Sequence, residues 1–207
     1  MTFASSLESL TAWQRSRLQS ARFVPLAALL TWAALSAGGV RFDAIFAFLL
    51  SAALVAQFRL WDDLVDRARD GAAHPDRALV RATSTVPFDC LLGLIAAVNA
   101  IALFALRGAA AALGLVVLSA AAACWYRWHR SRGLTHALVL HLKYPAFVLL
   151  LAPVSFWPLA GAAIAYATLV GFELLDEPGS RSSAQRRHVP FAFAAIGLAV
   201  ITWGEYR

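Results

Sequence analysis

Long apolar stretches separated by short polar ones make up most of this chain, and the stretches have the length of helices rather than strands. The first runs from Phe23 to Val40, closing at Gly38-Gly39 with Arg41 and Asp43 beyond it. A second runs from Ala44 to Trp61 and passes straight into the acidic, arginine-bearing stretch Asp62 to Arg81, so its helix is expected to continue beyond the hydrocarbon. From Val86 to Tyr126 almost nothing polar intervenes. One helix over that stretch would be about 60 Å long against a bilayer core of about 30 Å, so the chain must fold back, and Arg107-Gly108 is the break on offer. The stretch from Leu134 to Leu175 needs a similar bend, bracketed by Pro153 and Pro158, and Val189 to Trp203 supplies a last, shorter run. Seven spans result, in one transmembrane helical domain over 23–207. Residues 1–22 read as a cytoplasmic or interfacial segment, in which Leu7, Leu10, Trp13 and Leu18 line one helical face. Its polarity argues against a cleaved signal peptide.

Composition agrees with the pattern. Of 207 residues, 60% are hydrophobic and 14% charged, and the mean hydropathy is +0.66, which is outside the range of an ordinary soluble domain. The expected fold is an all-α, polytopic transmembrane bundle. The net charge of +6 is almost all arginine and lies between apolar runs, so it speaks for membrane topology and against a nucleic-acid partner. A cytoplasmic N-terminus leaves only Arg41, Arg107 and Arg207 outside and puts every other arginine inside, as the retention of basic residues in the cytoplasm requires. A multi-pass protein of the cell membrane is the expectation. Cys90 and Cys124 sit in apolar runs without paired spacing, so neither a disulfide nor a zinc site is indicated, and both read as buried packing residues.

Chemistry concentrates at three places. In WDDLVDRARDGAAHPDRAL, residues 61 to 79, Asp62, Asp66 and Asp70 stack at spacings of four with Asp63 beside them. Carboxylates gathered at a helix C-terminus repel one another and oppose the helix dipole, so a cation is expected there. Mg2+ suits them, because hard cations take carboxylate oxygens and share the rest of their shell with water and phosphate. Arg67, Arg69, Arg77 and Arg81 offer forked donors for phosphate oxygens nearby. Glu173, Asp176 and Glu177 close the sixth span with helical spacing, and span parity puts both acidic clusters on one side of the membrane. The third place is the fifth span, with the only lysine, Lys143, beside His136, His141 and Tyr144. Lys143 lies about 14 Å along the helix from Leu134, deep enough to require a partner: a substrate phosphate or a carboxylate, Asp89 among them. Pro25 and Pro145 are candidate kinks, and Tyr126 and Trp128 among Arg127, Arg130 and Arg132 read mainly as interface anchors.

These motifs resemble the UbiA-type intramembrane prenyltransferase superfamily. Its Asn/Asp-Asp-x-x-Asp-x-x-x-Asp motif after the second helix is matched by Asp62, Asp63, Asp66 and Asp70, and HPDRAL echoes the Arg-Pro-Leu-like stretch that follows. Its Tyr-x-x-x-Lys-Arg segment is similar to YRWHRSR, and its second acidic motif to Glu173, Asp176 and Glu177. The resemblance implies an enzyme that transfers prenyl groups from an isoprenoid diphosphate to a hydrophobic acceptor, aromatic or lipid. It implies one Mg2+ on Asp62, Asp66 and Asp70 with Asp63 assisting, and another on Glu173, Asp176 and Glu177. Lys143, Arg77, Arg130 and Tyr126 are the diphosphate contacts it suggests. The family has nine helices where seven are expected here, which leaves two expectations: self-association into a homo-oligomer that completes the chamber, or a degenerate relative that binds without turning over. A CDP-alcohol phosphotransferase fits less well, since His74 and Pro75 stand where its motif needs Ala-Arg. From other classes, a small membrane transporter using Asp89, His141 and Lys143, or a non-catalytic membrane partner protein, remain alternatives.

Overall fold

The computed structural model describes residues 3–18, 20–35, 43–128, 134–152 and 156–176, and among these there are helices and no strands. In chain order the helices are α1 (Phe3–Arg17), α2 (Ser20–Leu35), α3 (Ala44–Ala73), α4 (Ala78–Arg81), α5 (Val86–Arg107), α6 (Ala109–Trp128), α7 (Leu134–His141), α8 (Lys143–Leu151) and α9 (Phe156–Asp176). Three of them, α3, α5 and α6, are long and apolar enough to cross a membrane, and Phe23–Leu35, Leu138–Leu151 and Pro158–Gly171 are shorter apolar segments. The run from Val189 to Trp203 lies outside the described residues.

Local chemistry explains where these helices start and stop. Asp43 caps α3, its carboxylate accepting the Ile45 N–H at 3.0 Å. The helix then continues twelve residues past Trp61, carrying the acidic motif beyond its apolar part, and the α3–α4 turn begins at His74. α5 ends at the expected break: Gly108 has φ 84°, a left-handed conformation that glycine adopts without a side-chain clash, and α6 starts one residue later. An additional break falls at Leu142, between α7 and α8. Pro145 has no N–H to offer the carbonyl of His141, and the Leu142 N–H closes a tighter turn on Val139 at 3.1 Å. Pro25, by contrast, is carried within α2.

The core lies where α2, α3, α8 and α9 meet, built around Leu30, Leu54, Phe58, Phe147, Val148 and Leu151. Between helices in lipid, association depends on close packing rather than on expelling water, and small residues permit it. Ala33 and Gly161 mark a close approach of α2 to α9: a Cβ on Gly161 would stand 2.7 Å from the Ala33 carbonyl oxygen. The α5–α6 hairpin packs against one flank and turns Leu94, Val98, Ile101, Phe104, Leu113 and Val117 outward. Water would penalise so large an apolar surface, whereas lipid matches it. Cys90 and Cys124 are exposed on this hairpin, which corrects the expectation that they are packed inside. α1 lies against α4 and α5 through a second cluster of Trp13, Leu60, Leu79, Ala82 and Phe88, with Leu10 and Leu18 beside it and Leu7 left exposed.

Candidate functional site

Trp61 and Asp62 lie three and four residues after Phe58, so α3 presents all three together to α6 and α8. The Asp62 carboxylate is claimed on both oxygens. The Tyr126 hydroxyl of α6 donates to one, and the Lys143 ammonium at the start of α8 donates to the other. The ion pair is enclosed, with side-chain exposures of 9% for Lys143 and 19% for Asp62. Lys143 also lies 5.5 Å from the centre of the Tyr144 ring, a cation–π distance. Around the pair runs an aromatic wall: Trp61 to Tyr126 at 5.8 Å, Phe58 to Phe147 at 5.1 Å, and Tyr144 edge-on to Phe147 at 5.8 Å. His141 extends it, its ring 5.7 Å from that of Tyr144. The partner of Lys143 is thus Asp62, while Asp89 is exposed near the start of α5.

The remaining motif aspartates turn elsewhere. Residues seven apart on a helix return to within about 20° of one another, so Asp63 and Asp70 share a face, whereas Asp62 and Asp70 differ by about 80°. Both Asp63 and Asp70 are buried, at 6% exposure. Asp63 Oδ2 accepts from Trp13 Nε1 at 2.9 Å and from Arg17 Nε at 3.0 Å, and Oδ1 accepts from Arg17 Nη2 at 2.6 Å. Burial pulls the Arg17 guanidinium below its ordinary pKa, and Asp63 pushes back in the other direction. Asp70 is paired with Arg77 from the start of α4, and Asp66 is half-buried between these groups along the helix. Arg67 ties the same turn down by donating to the carbonyls of Leu79, at 3.0 Å, and Ala82, at 2.6 Å. Between α1 and this turn opens a cleft of about 630 Å³, bordered by Arg17, His74, Asp76, Arg77 and Arg81.

Two separate groupings therefore stand where the spacing suggested one. Asp62, Tyr126 and Lys143 come together inside the bundle; Asp63 and Asp70 join Arg17 and Arg77 at the helix end. Among the described residues no three His, Cys, Asp or Glu side chains converge as metal ligands, and Asp62, Asp63 and Asp70 are each held by a different cation. Glu173 and Asp176 fall in the last turn of α9, and their side chains, like that of His136, lie outside the described ones, as do Glu177 and Arg130 altogether.

Sequence reasoning missed Arg17 and Trp13 as partners of the motif, and it missed Gln57. Asn99 Nδ2 donates to Gln57 Oε1 at 2.8 Å in a fully buried pair between α5 and α3. A glutamine inside an apolar run was the available signal, because such an amide needs a partner in a bundle. The chain matches no protein-family model, no curated protein and no solved structure.

Proposed function

We propose that this protein is a multi-pass enzyme of the cell membrane that transfers a prenyl group from an isoprenoid diphosphate to a hydrophobic acceptor, aromatic or lipid, with its N-terminus in the cytoplasm and seven spans. The observation that carries the reading is Lys143: an ammonium buried in the bundle beside Asp62 and Tyr126 and walled by aromatic rings. Such a cation is costly to keep in an apolar interior, and functional use is the usual reason for one. In the proposed step the bond between the allylic carbon and the diphosphate oxygen breaks, and its electron pair leaves with the diphosphate. Lys143 stabilises the charge that develops on that oxygen. The Phe58, Trp61, Tyr144 and Phe147 faces favour the allylic cation until the acceptor adds to it and loses a proton. Asp62 is the counter-ion that holds the ammonium in place, and the diphosphate competes with it for the same charge.

Mg2+ belongs to this reading through the resemblance to UbiA-type enzymes, and no step is assigned to it. A second reading, a non-catalytic membrane protein, is favoured by one observation: the motif carboxylates are dispersed among Lys143, Arg17 and Arg77 rather than gathered. The test is pyrophosphate release by the purified protein supplied with geranyl to geranylgeranyl diphosphates and mixed acceptors, with and without Mg2+, beside Asp66→Ala and Lys143→Arg. Release that falls at least about a hundredfold in Lys143→Arg, a change that keeps the charge but misplaces it, is expected of an oriented donor. Absence of both pyrophosphate release and prenyl diphosphate binding in folded wild type would refute the enzyme reading in favour of the second.

A further inference from the structure

We propose that Asp63 and Asp70 form, with Arg17 and Arg77, a four-charge lock that fastens the N-terminal helix and the α3–α4 turn onto the end of α3, and that these two aspartates are positioning residues rather than metal ligands. The inference goes beyond the proposed chemistry and stands whether or not the Asp62–Lys143 site acts on a diphosphate.

Four observations carry it. The seven-residue spacing places both carboxylates on one face of α3, and that face is covered by α1 and the turn. All four charged side chains border one void of about 10 Å³, so the two ion pairs are neighbours in a single neutral group. Asp63 already accepts three hydrogen bonds, from Trp13 and from two nitrogens of Arg17. A carboxylate has about four lone-pair sites, so about one is left on Oδ1, and a hard cation could take both oxygens only by displacing the forked guanidinium. Beneath the charges Trp13, Leu60, Leu79 and Phe88 pack together, and the void's other walls are Trp13, Ser16, Ala78, Leu79 and Val80. The arrangement explains why a carboxylate-rich helix end folds at all: α1 and the α3–α4 turn each supply a guanidinium against the repulsion and against the unfavourable end of the helix dipole.

The full-length protein in lipid nanodiscs provides the test, with hydrogen–deuterium exchange of residues 3–17 as one readout and Mn2+ titration by electron paramagnetic resonance as the other. Asp63→Asn is expected to speed exchange of α1 by at least about tenfold, since a bond to a charged group is lost, while α5 keeps its protection. Arg17→Gln leaves every carboxylate intact and should do the same, which covers the case of an Asp63 variant that does not fold. Reversing the pair, Arg17→Asp with Asp63→Arg, should restore protection, although arginine cannot ligate a metal. Mn2+ binding that is absent from wild type, or unchanged in Asp63→Asn and Asp70→Asn, agrees with the lock. The proposal is overturned by unchanged α1 exchange in both single variants, by a reversed pair that fails to recover it, or by a loss of about tenfold or more in Mn2+ affinity in either aspartate variant.

Discussion

Removing the Lys143 ammonium while keeping the Asp62 carboxylate is the sharpest way to learn what the enclosed pair contributes. In Lys143→Met the chain length and most of the volume remain, but Asp62 is left with Tyr126 as its donor in a site where little water can reach it. Side-chain exposures of 9% and 19% mean that solvent screening does not soften the loss. Breaking a buried pair from one side costs about 3–5 kcal/mol, chiefly through the charge left behind. At about 2–4 °C per kcal/mol for a chain of this size, the midpoint of thermal unfolding in detergent should fall by about 6–20 °C.

Two comparisons isolate the cause. Arg81→Met breaks the Arg81–Asp76 pair, whose side chains are 66% and 86% exposed, and there the cost should stay within about 1 kcal/mol. Adding Asp62→Asn to Lys143→Met removes the stranded charge and leaves Tyr126 a neutral acceptor. The double variant should therefore recover most of the loss, giving a coupling of about 2–3 kcal/mol between the positions. A Lys143→Met protein no less stable than Arg81→Met, or a double variant as unstable as the single, would refute the view that Asp62 and Lys143 depend on each other inside the bundle.

Glycine positions test the packing. Gly161→Ala drives a methyl into the Ala33 backbone and should destabilise the fold by about 1–3 kcal/mol by unfolding titration, while Gly93→Ala, with nothing within 4 Å, should be neutral or gain about 0.5–1 kcal/mol. The buried amide pair tests polar satisfaction: Asn99→Leu should cost about 1–3 kcal/mol by orphaning Gln57, and Gln57→Leu combined with Asn99→Leu should restore stability to near wild type.

What the sequence made legible follows the range of each interaction. Helix ends were readable because their causes are local: Asp43 caps α3, Gly108 takes the positive φ that separates α5 from α6, and a helix running past Trp61 needs only its own residues. The Leu142 break was less so. Pro145 announced a kink, but where the chain closes its tighter turn depends on the packing of α7 and α8 against α9. Lys143 was legible as a buried charge because depth can be counted along a helix; its partner was not, since Asp62 and Asp89 were both acidic neighbours of the same span and only the bundle's three-dimensional order separates them.

The aspartate motif shows the limit most clearly. Spacing by four made Asp62, Asp66 and Asp70 look like one face, and a run of four carboxylates looks like a site for one kind of guest. Successive fours drift by about 40° each, so by Asp70 the face has turned most of a right angle and meets a different set of neighbours. Asp62 looks into an aromatic, lysine-bearing interior, and Asp70 looks at α4 beside Asp63, which is its true heptad mate. The same four residues therefore divide into an interior pairing and a peripheral one. The reversed Arg17–Asp63 pair tests that division within the proposed chemistry: Arg17→Asp combined with Asp63→Arg that retains both α1 protection and pyrophosphate release would take the Asp63 carboxylate out of the reaction and leave it as part of the peripheral pairing.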